Sequence, residues 1–230
     1  MKKVIIDCRA TKKISDALSG LEFEVIPLPA FPALPAPVSA HADMLIFLTK
    51  GKIFCHKDYY KIARDSIDKI SMAGYELVLS DEYISDKYPN DILFNAVSLN
   101  GKIYGKKDHI SRFISENTTV VNVNQGYTKC SVCKVCEHAI ITSDPSIKDV
   151  AEKNGIDVLF ISAGNITLPG YDTGFIGGCS GYDGDKIYFS GNIFLHPNGT
   201  EISEFCKNYG KDVVMLSDEQ LFDIGSMFFI

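Results

Sequence analysis

The sequence predicts an α/β fold in which five strand–strand–helix–strand units close into a propeller with five-fold pseudo-symmetry. The first observation is a recurring phrase: Gly51-Lys-Ile-Phe54, Gly101-Lys-Ile-Tyr104 and Asp185-Lys-Ile-Tyr188, with His138-Ala-Ile-Ile141 as a looser copy. Each copy follows an apolar run typical of a strand and precedes apolar residues at helical spacing. Repeats of about 40–50 residues are typical of solenoids and propellers.

Four complete units have the same predicted order of elements. Their first strands are predicted over residues 43–48, 91–97, 130–135 and 172–179. Their second strands coincide with the recurring phrase. Their helices are predicted over residues 60–72, 109–115, 146–153 and 201–209, and their closing strands over 76–79, 119–123, 157–161 and 212–216. The turn at Asp183-Gly184 predicts a hairpin, because this pair tolerates the positive φ of tight turns.

The two ends of the chain complement each other, which is the second observation. Residues 2–6, 14–18 and 23–26 form a unit that lacks its first strand, and residues 222–230 form a first strand with nothing after it. Joined, the termini complete a fifth unit and hide sheet edges that would otherwise be exposed. The sequence therefore predicts that the C-terminal strand pairs beside the N-terminal strand, in a single domain of residues 1–230. The proline-rich residues 27–37 are interpreted as a rigid connector of this domain rather than as a ligand for an SH3 domain.

Composition excludes several classes of function. A net charge of −6 argues against nucleic acid, whose affinity depends on neutralising phosphates with Lys and Arg. No apolar run approaches the roughly 18 residues of a membrane-spanning helix. Seven cysteines suggest no disulfide framework, so we predict a cytoplasmic protein with reduced thiols. No cofactor is predicted, and the oligomeric state is left open.

Two motifs carry a family resemblance: His41-Ala-Asp43 and the glycine-flanked cysteine of Gly177-Gly-Cys-Ser-Gly181. Five such units, with termini that share one unit, resemble the pentein fold of guanidino-group-modifying deiminases, dimethylarginine hydrolases and amidinotransferases. Those enzymes carry a histidine at the start of a first strand and a nucleophilic cysteine late in the chain. The resemblance implies hydrolysis of a guanidino or amidino compound, with Cys179 as nucleophile and His41 as proton donor. The alternative is a non-catalytic binding or assembly module, because the same fold occurs in a ribosome anti-association factor.

Four aspartates stand at or just before the predicted first strands: Asp43, Asp91, Asp172 and Asp223. In a five-fold ring, equivalent positions converge on the axis. Clustered carboxylates repel each other unless protons or a cation neutralise them, and a guanidinium group fits carboxylates bidentately. The sequence therefore predicts a small cationic ligand bound by these aspartates. The alternative is that they cap strands and turns.

The cysteines leave two further alternatives open. On a straight strand Cys179 would lie roughly 23 Å from Asp172 and on the opposite face, so a buried structural cysteine competes with the nucleophile. Cys130, Cys133 and Cys136 have ligand-like spacing, but on one strand the middle cysteine points away from the other two. Core packing is therefore favoured over a metal site, and no metal is predicted.

Overall fold

The computed structural model describes residues 2–49, 51–116 and 118–230. The chain begins with β1 (Lys3–Asp7), α1 (Lys12–Gly20) and β2 (Glu24–Leu28). Strands β1 and β2 pair in parallel, and α1 buries Ile14 and Leu18. The hydroxyl of Thr11 accepts a hydrogen bond from the backbone of Ile14 and caps the helix. These elements are the second half of a strand–strand–helix–strand unit.

Four further units follow with the predicted element order. The first two contain α2 (Ala42–Leu45), β3 (Ile46–Thr49), β4 (Lys52–His56), α3 (Lys57–Met72) and β5 (Glu76–Ser80), then β6 (Val97–Leu99), β7 (Lys102–Gly105), α4 (Arg112–Ser115) and β8 (Val120–Asn122). The next two contain α5 (Thr128–Ser131), β9 (Cys133–Cys136), β10 (Ala139–Thr142), α6 (Pro145–Lys153) and β11 (Asp157–Phe160), then β12 (Ser180–Tyr182), β13 (Lys186–Phe189), α7 (Gly199–Asn208) and β14 (Asp212–Met215). The chain then reaches β15 (Met227–Phe229).

Every unit uses the same pairing pattern. The first strand is antiparallel to the second, and the third is parallel to the second after a helical crossover. In the described residues, three units form three-stranded sheets, and the remaining strands form one sheet of order β14-β13-β12-β15-β1-β2. Strand β15 pairs with β1 through Val4 and Phe229, and with β12 through Gly181 and Met227. Both ends of the chain therefore belong to one sheet, and the predicted mixed α/β class is confirmed.

The first strands are shorter than predicted, and the aspartates lie before them. Asp43 is in α2, whereas Asp91, Asp172 and Asp223 are in turns or irregular segments. Residues 172–179, predicted as a first strand, form no strand, and β12 begins at Ser180. The buried apolar runs satisfy their backbone groups locally: Asn95 N donates to the Ile92 carbonyl, and Cys179 N donates to the Phe175 carbonyl. A buried turn and a buried strand have the same apolar composition, so the run alone does not distinguish them.

The proline-rich segment is fixed against the start of the chain. The guanidinium of Arg9 donates to the carbonyls of Ala36 and Pro37, and it also forms an ion pair with Asp7. The segment thereby covers one side of the region where the first strands begin. Among the helices of the described residues, none combines the length and the apolar character that crossing a bilayer requires.

Candidate functional site

A cavity of about 270 Å³ lies where the segments before β3, β9, β12 and β15 meet. We call it the His41 cavity. It is lined by Val38, His41, Met44, Tyr127, Cys130, Leu168, Tyr171, Asp172, Thr173, Phe175 and Asp223. Two of these residues are aspartates, none is Lys or Arg, and three are aromatic. The cavity therefore combines negative charge with aromatic surface.

His41 is held between two carboxylates. It is 3% exposed and precedes α2, so its backbone begins that helix. Its Nδ1 lies 3.6 Å from Asp223 Oδ1, and its Nε2 lies 3.8 Å from Asp7 Oδ2. The ring therefore lies beside the cavity with one nitrogen facing each carboxylate.

Asp223 is the central carboxylate of the site. It is 1% exposed, and its two oxygens accept hydrogen bonds from the backbone N–H groups of Phe175 at 2.9 Å and Gly225 at 3.0 Å. Burial raises the pKa of Asp223 to about 6; the nearby charge of His41 opposes this rise, and that of Asp43 adds to it. Asp223 therefore ionises close to neutral pH, at the wall of the cavity.

This raised pKa predicts how stability depends on pH. An unfolded aspartate titrates near 3.8, so the folded protein holds the Asp223 proton more tightly than the unfolded chain does. The contribution of Asp223 to stability is therefore greatest below pH 4 and is lost as the pH rises through 6. The loss is on the order of 3 kcal/mol.

Urea unfolding of wild type and Asp223→Asn between pH 4 and 7.5 measures this effect. Because asparagine does not titrate, the stability of wild type relative to the variant should fall with pH across that window. A stability difference that is independent of pH would contradict the raised pKa.

Asp43 lies behind the cavity rather than in its lining. It is fully buried, and its Oδ2 accepts a hydrogen bond of 2.6 Å from the Ser226 hydroxyl. Its Oδ1 accepts no hydrogen bond among the described residues. The Ser226 hydroxyl in turn accepts a hydrogen bond from Lys129 Nζ at 2.8 Å, so the lysine reaches Asp43 through Ser226. The charge of Asp43 contributes to the field of the cavity without touching its contents.

The other two aspartates occupy different depths. Asp172 lines the cavity and is exposed at its rim. Asp91 is 1% exposed, and its Oδ2 accepts a hydrogen bond of 2.7 Å from the Tyr127 hydroxyl. Burial raises the pKa of Asp91, and the bond from Tyr127 limits that rise. Of the four predicted aspartates, Asp172 and Asp223 thus line the cavity. Asp91 accepts a hydrogen bond from the lining residue Tyr127, and Asp43 lies behind the cavity wall.

The sequence predicted that Cys179 lies with His41 in one site, but Cys179 does not line the His41 cavity. It is fully buried in an apolar cluster with residues such as Ile176 and Phe189, and its thiol donates to the Ile176 carbonyl at 3.3 Å. The turn over residues 176–179 directs the thiol back into the core. Burial and the charge of Asp223 raise its pKa well above the usual value.

Cys130 is the cysteine that lines the His41 cavity, and sequence reasoning assigned it to the core. Its sulfur accepts a hydrogen bond of 3.0 Å from Asn95 Nδ2. The same amide donates to the Asp43 carbonyl, and its oxygen accepts from the backbone N–H of Lys129. Burial, followed by the charges of Asp43 and Asp223, raises the pKa of Cys130 well above the usual value, and the bond from Asn95 opposes the rise.

A signal for Cys130 was present in the repeat. It begins the predicted first strand of its unit, which is the position that Asp43, Asp91 and Asp172 have in theirs. Cys133 and Cys136 lie on β9 instead. In the part of the chain that the structure describes, no three His, Cys, Asp or Glu side chains converge as a metal site requires.

Residues 5–228 match the model of DUF6873, described as a family of unknown function. The chain belongs to this family. No curated protein matches it by sequence. The family description names no reaction.

Three solved structures illustrate the likeness. A dimethylarginine dimethylaminohydrolase from Pseudomonas aeruginosa, in complex with citrulline, shares 9% identity at a TM-score of 0.54, covering 94% of this chain and 91% of the enzyme. The amidinotransferase SxtG from Microseira wollei, of the saxitoxin pathway, shares 11% at 0.55 over 90% and 75%. The cyanobacterial arginine dihydrolase ArgZ shares 10% at 0.55 over 93% of this chain and 36% of ArgZ. All three are penteins, and the predicted pentein fold of this chain is confirmed.

Proposed function

We propose that this protein binds a small guanidino or amidino cation in the His41 cavity. The observation that carries the proposal is the charge of the lining: Asp172 and Asp223 face a cavity to which, among the described residues, neither Lys nor Arg contributes. A buried carboxylate such as Asp223, with a second carboxylate at the same site, is stabilised when a cation neutralises it. The same field disfavours phosphates and carboxylic acids.

The shape of the lining suits a planar cation. The N–H groups of a guanidinium can pair with a carboxylate such as Asp223 from one edge. The rings of Tyr127 and Phe175, whose centroids are 6.2 Å apart, supply faces for a cation–π contact. A volume of about 270 Å³ admits a compact ligand of this kind. The solved structures that resemble this chain include a dimethylarginine dimethylaminohydrolase and an arginine dihydrolase. This likeness supports the same class of ligand.

The proposal includes a ring arrangement of the chain as one domain, within a cytoplasmic protein. We infer that the five units surround one axis and that the pairing of β15 with β1 closes the ring. The convergence of His41, Cys130, Asp172 and Asp223 supports this, because each precedes the first strand of a different unit. A ring brings corresponding positions to one end of its axis, where the cavity would lie.

Cysteine-dependent hydrolysis is the second candidate, and the presence of Cys130 and His41 in one cavity favours it. The Cys130 thiolate would add to the amidine carbon, and ammonia or an amine would leave with the proton supplied by His41. Water would then cleave the carbon–sulfur bond, releasing the ureido product and the thiol. A bound cation lowers the Cys130 pKa that burial and the two carboxylates raise, so the ligand would activate the thiol that attacks it.

Thermal melts with agmatine, arginine and dimethylarginine test the binding proposal. At ligand concentrations about 100-fold above Kd, stabilisation approaches about 2.7 kcal/mol, and Tm should rise by several degrees. Asp172→Asn is the most informative variant, because the side chain of Asp172 is exposed and can be replaced without disturbing the core. We expect it to weaken binding about tenfold. Asp86→Asn, another surface aspartate that does not line the cavity, is the control.

The outcomes separate the two candidates. A cation-dependent shift with release of ammonia and a ureido product supports a hydrolase. A shift without product supports the non-catalytic module. If none of the three cations changes Tm, or if Asp172→Asn and Asp86→Asn respond equally to the cations, the binding proposal fails.

A further inference from the structure

A second cavity, of about 250 Å³, lies beyond the wall formed by Asp43, Ser226 and Lys129. We call it the Lys129 cavity. Residues of β3, β6, β9, β12 and β15 line it together with Lys129, and it shares no lining residue with the His41 cavity. The His41 cavity is lined by residues that precede β3, β9, β12 and β15. The two cavities are therefore separate sites on either side of the same wall.

The charged side chains of the Lys129 cavity are both positive. Lys129 and Lys134 line it, and of the described residues no Asp or Glu side chain does. Lys134 Nζ donates to the Ser98 carbonyl at 2.9 Å and forms an ion pair with Glu137, so its charge is already matched. Lys129 forms no ion pair among the described residues. Its hydrogen bond to Ser226 uses one of three donors and leaves two for a ligand.

Lys129 is positioned by Asn95, which also positions Cys130. Asn95 Oδ1 accepts a hydrogen bond of 2.7 Å from the Lys129 backbone and fixes the start of α5. Consecutive side chains of α5 then face opposite sides of the wall: Cys130 lines the His41 cavity and Lys129 lines the other. The ammonium lies 5.5 Å from the ring centroid of Phe228. It is thus a fixed cation at an aromatic wall.

We propose that the Lys129 cavity binds a small organic monoanion, a carboxylate with an apolar body. The Lys129 ammonium would bond the carboxylate, and Phe47, Met227 and Phe228 would contact the apolar part. One ammonium that forms no ion pair balances the single charge of a carboxylate, but it balances only one of the two charges of a phosphate dianion. The proposal is independent of the cation site, because the two cavities share no lining residue.

Titration of the protein with benzoate, followed by NMR chemical shifts, tests the proposal. We expect saturable binding that Lys129→Met weakens about tenfold, the effect of losing a charged hydrogen bond. Lys102→Met is the matched control, because Lys102 also has one side-chain hydrogen bond, to Asn154, and lies outside the cavity. It should bind as wild type does. Agmatine should neither compete with benzoate nor lose its own binding in Lys129→Met.

A second measurement covers the case in which Lys129→Met does not fold. The anomalous signal of bromine in wild-type crystals soaked with 4-bromobenzoate should place the carboxylate beside Lys129 Nζ. Bromine elsewhere, no saturation with benzoate, or equal loss in Lys129→Met and Lys102→Met would overturn the proposal. Inorganic phosphate that binds more tightly than benzoate would overturn the assignment to an apolar monoanion.

Discussion

Cys130→Ala is expected to abolish formation of ureido product and ammonia, whereas Cys179→Ala should leave the rate within a few-fold of wild type. Loss of a covalent nucleophile costs on the order of 10³-fold or more in kcat. The two thiols differ in access: Cys130 lines the His41 cavity, and Cys179 is enclosed by apolar side chains. This pair of variants decides which cysteine the hydrolysis depends on.

The stability of both variants must be measured beside their activity. Cys179 is fully buried, so removing its sulfur leaves a small void that costs on the order of 1 kcal/mol. Removing the Cys130 sulfur leaves Asn95 Nδ2 with its bond to the Asp43 carbonyl, so the wall should persist. Agmatine should still raise the Tm of Cys130→Ala, which would separate lost chemistry from lost binding.

Two results would contradict the assignment of Cys130. One is a folded Cys179→Ala variant that has lost activity while Cys130→Ala retains it. The other is wild-type rate in both variants, which would exclude both Cys130 and Cys179 as the nucleophile. If wild type binds agmatine and yields no product, the non-catalytic alternative replaces the hydrolase, and the role of Cys130 is confined to the cavity wall.

The second strands and helices could be predicted because their signals are local. The phrase Gly51-Lys-Ile-Phe54 marks the turn into β4, where Gly51 has a φ of +70° that favours glycine. Asp144 and Pro145 mark the start of α6, where the aspartate side chain caps Ile147 N at 2.9 Å. In both cases a few adjacent residues determine the backbone.

The site could be predicted in its residue types and only partly in its geometry. The repeat indicated carboxylates at or just before the first strands, whereas the structure places them several residues before those strands. His41 Nδ1 nevertheless lies 3.6 Å from Asp223 Oδ1. The repeat could not indicate which side of the wall a side chain faces. Lys129 and Cys130 are adjacent in sequence and line different cavities, because Asn95, from another unit, fixes their helix. A contact between distant residues of this kind cannot be predicted from the spacing of residues along one sequence.

Gly225→Ala is expected to destabilise the protein by roughly 3 kcal/mol or more, lowering Tm by about 10 °C. Gly225 has a φ of +71°, and a Cβ at this position would lie 2.2 Å from the Cβ of His41 and 2.3 Å from its Cα. The His41 backbone cannot easily retreat, because Asp43 N donates to the Gly225 carbonyl at 3.0 Å. Thermal and urea unfolding measure the loss.

Gly51→Ala is the matched control for the backbone strain. Gly51 has a φ of +70°, and no atom of the described residues beyond its chain neighbours lies within 4 Å of a Cβ built there, so its substitution should cost only about 1 kcal/mol. The additional loss of stability in Gly225→Ala, compared with Gly51→Ala, then measures the steric clash with His41. Because the contact of Gly225 with His41 sets the position of the imidazole between Asp7 and Asp223, the variant should also lose most of its stabilisation by agmatine. Equal destabilisation by both substitutions, with agmatine binding retained, would mean that His41 can shift freely and that its position does not depend on Gly225.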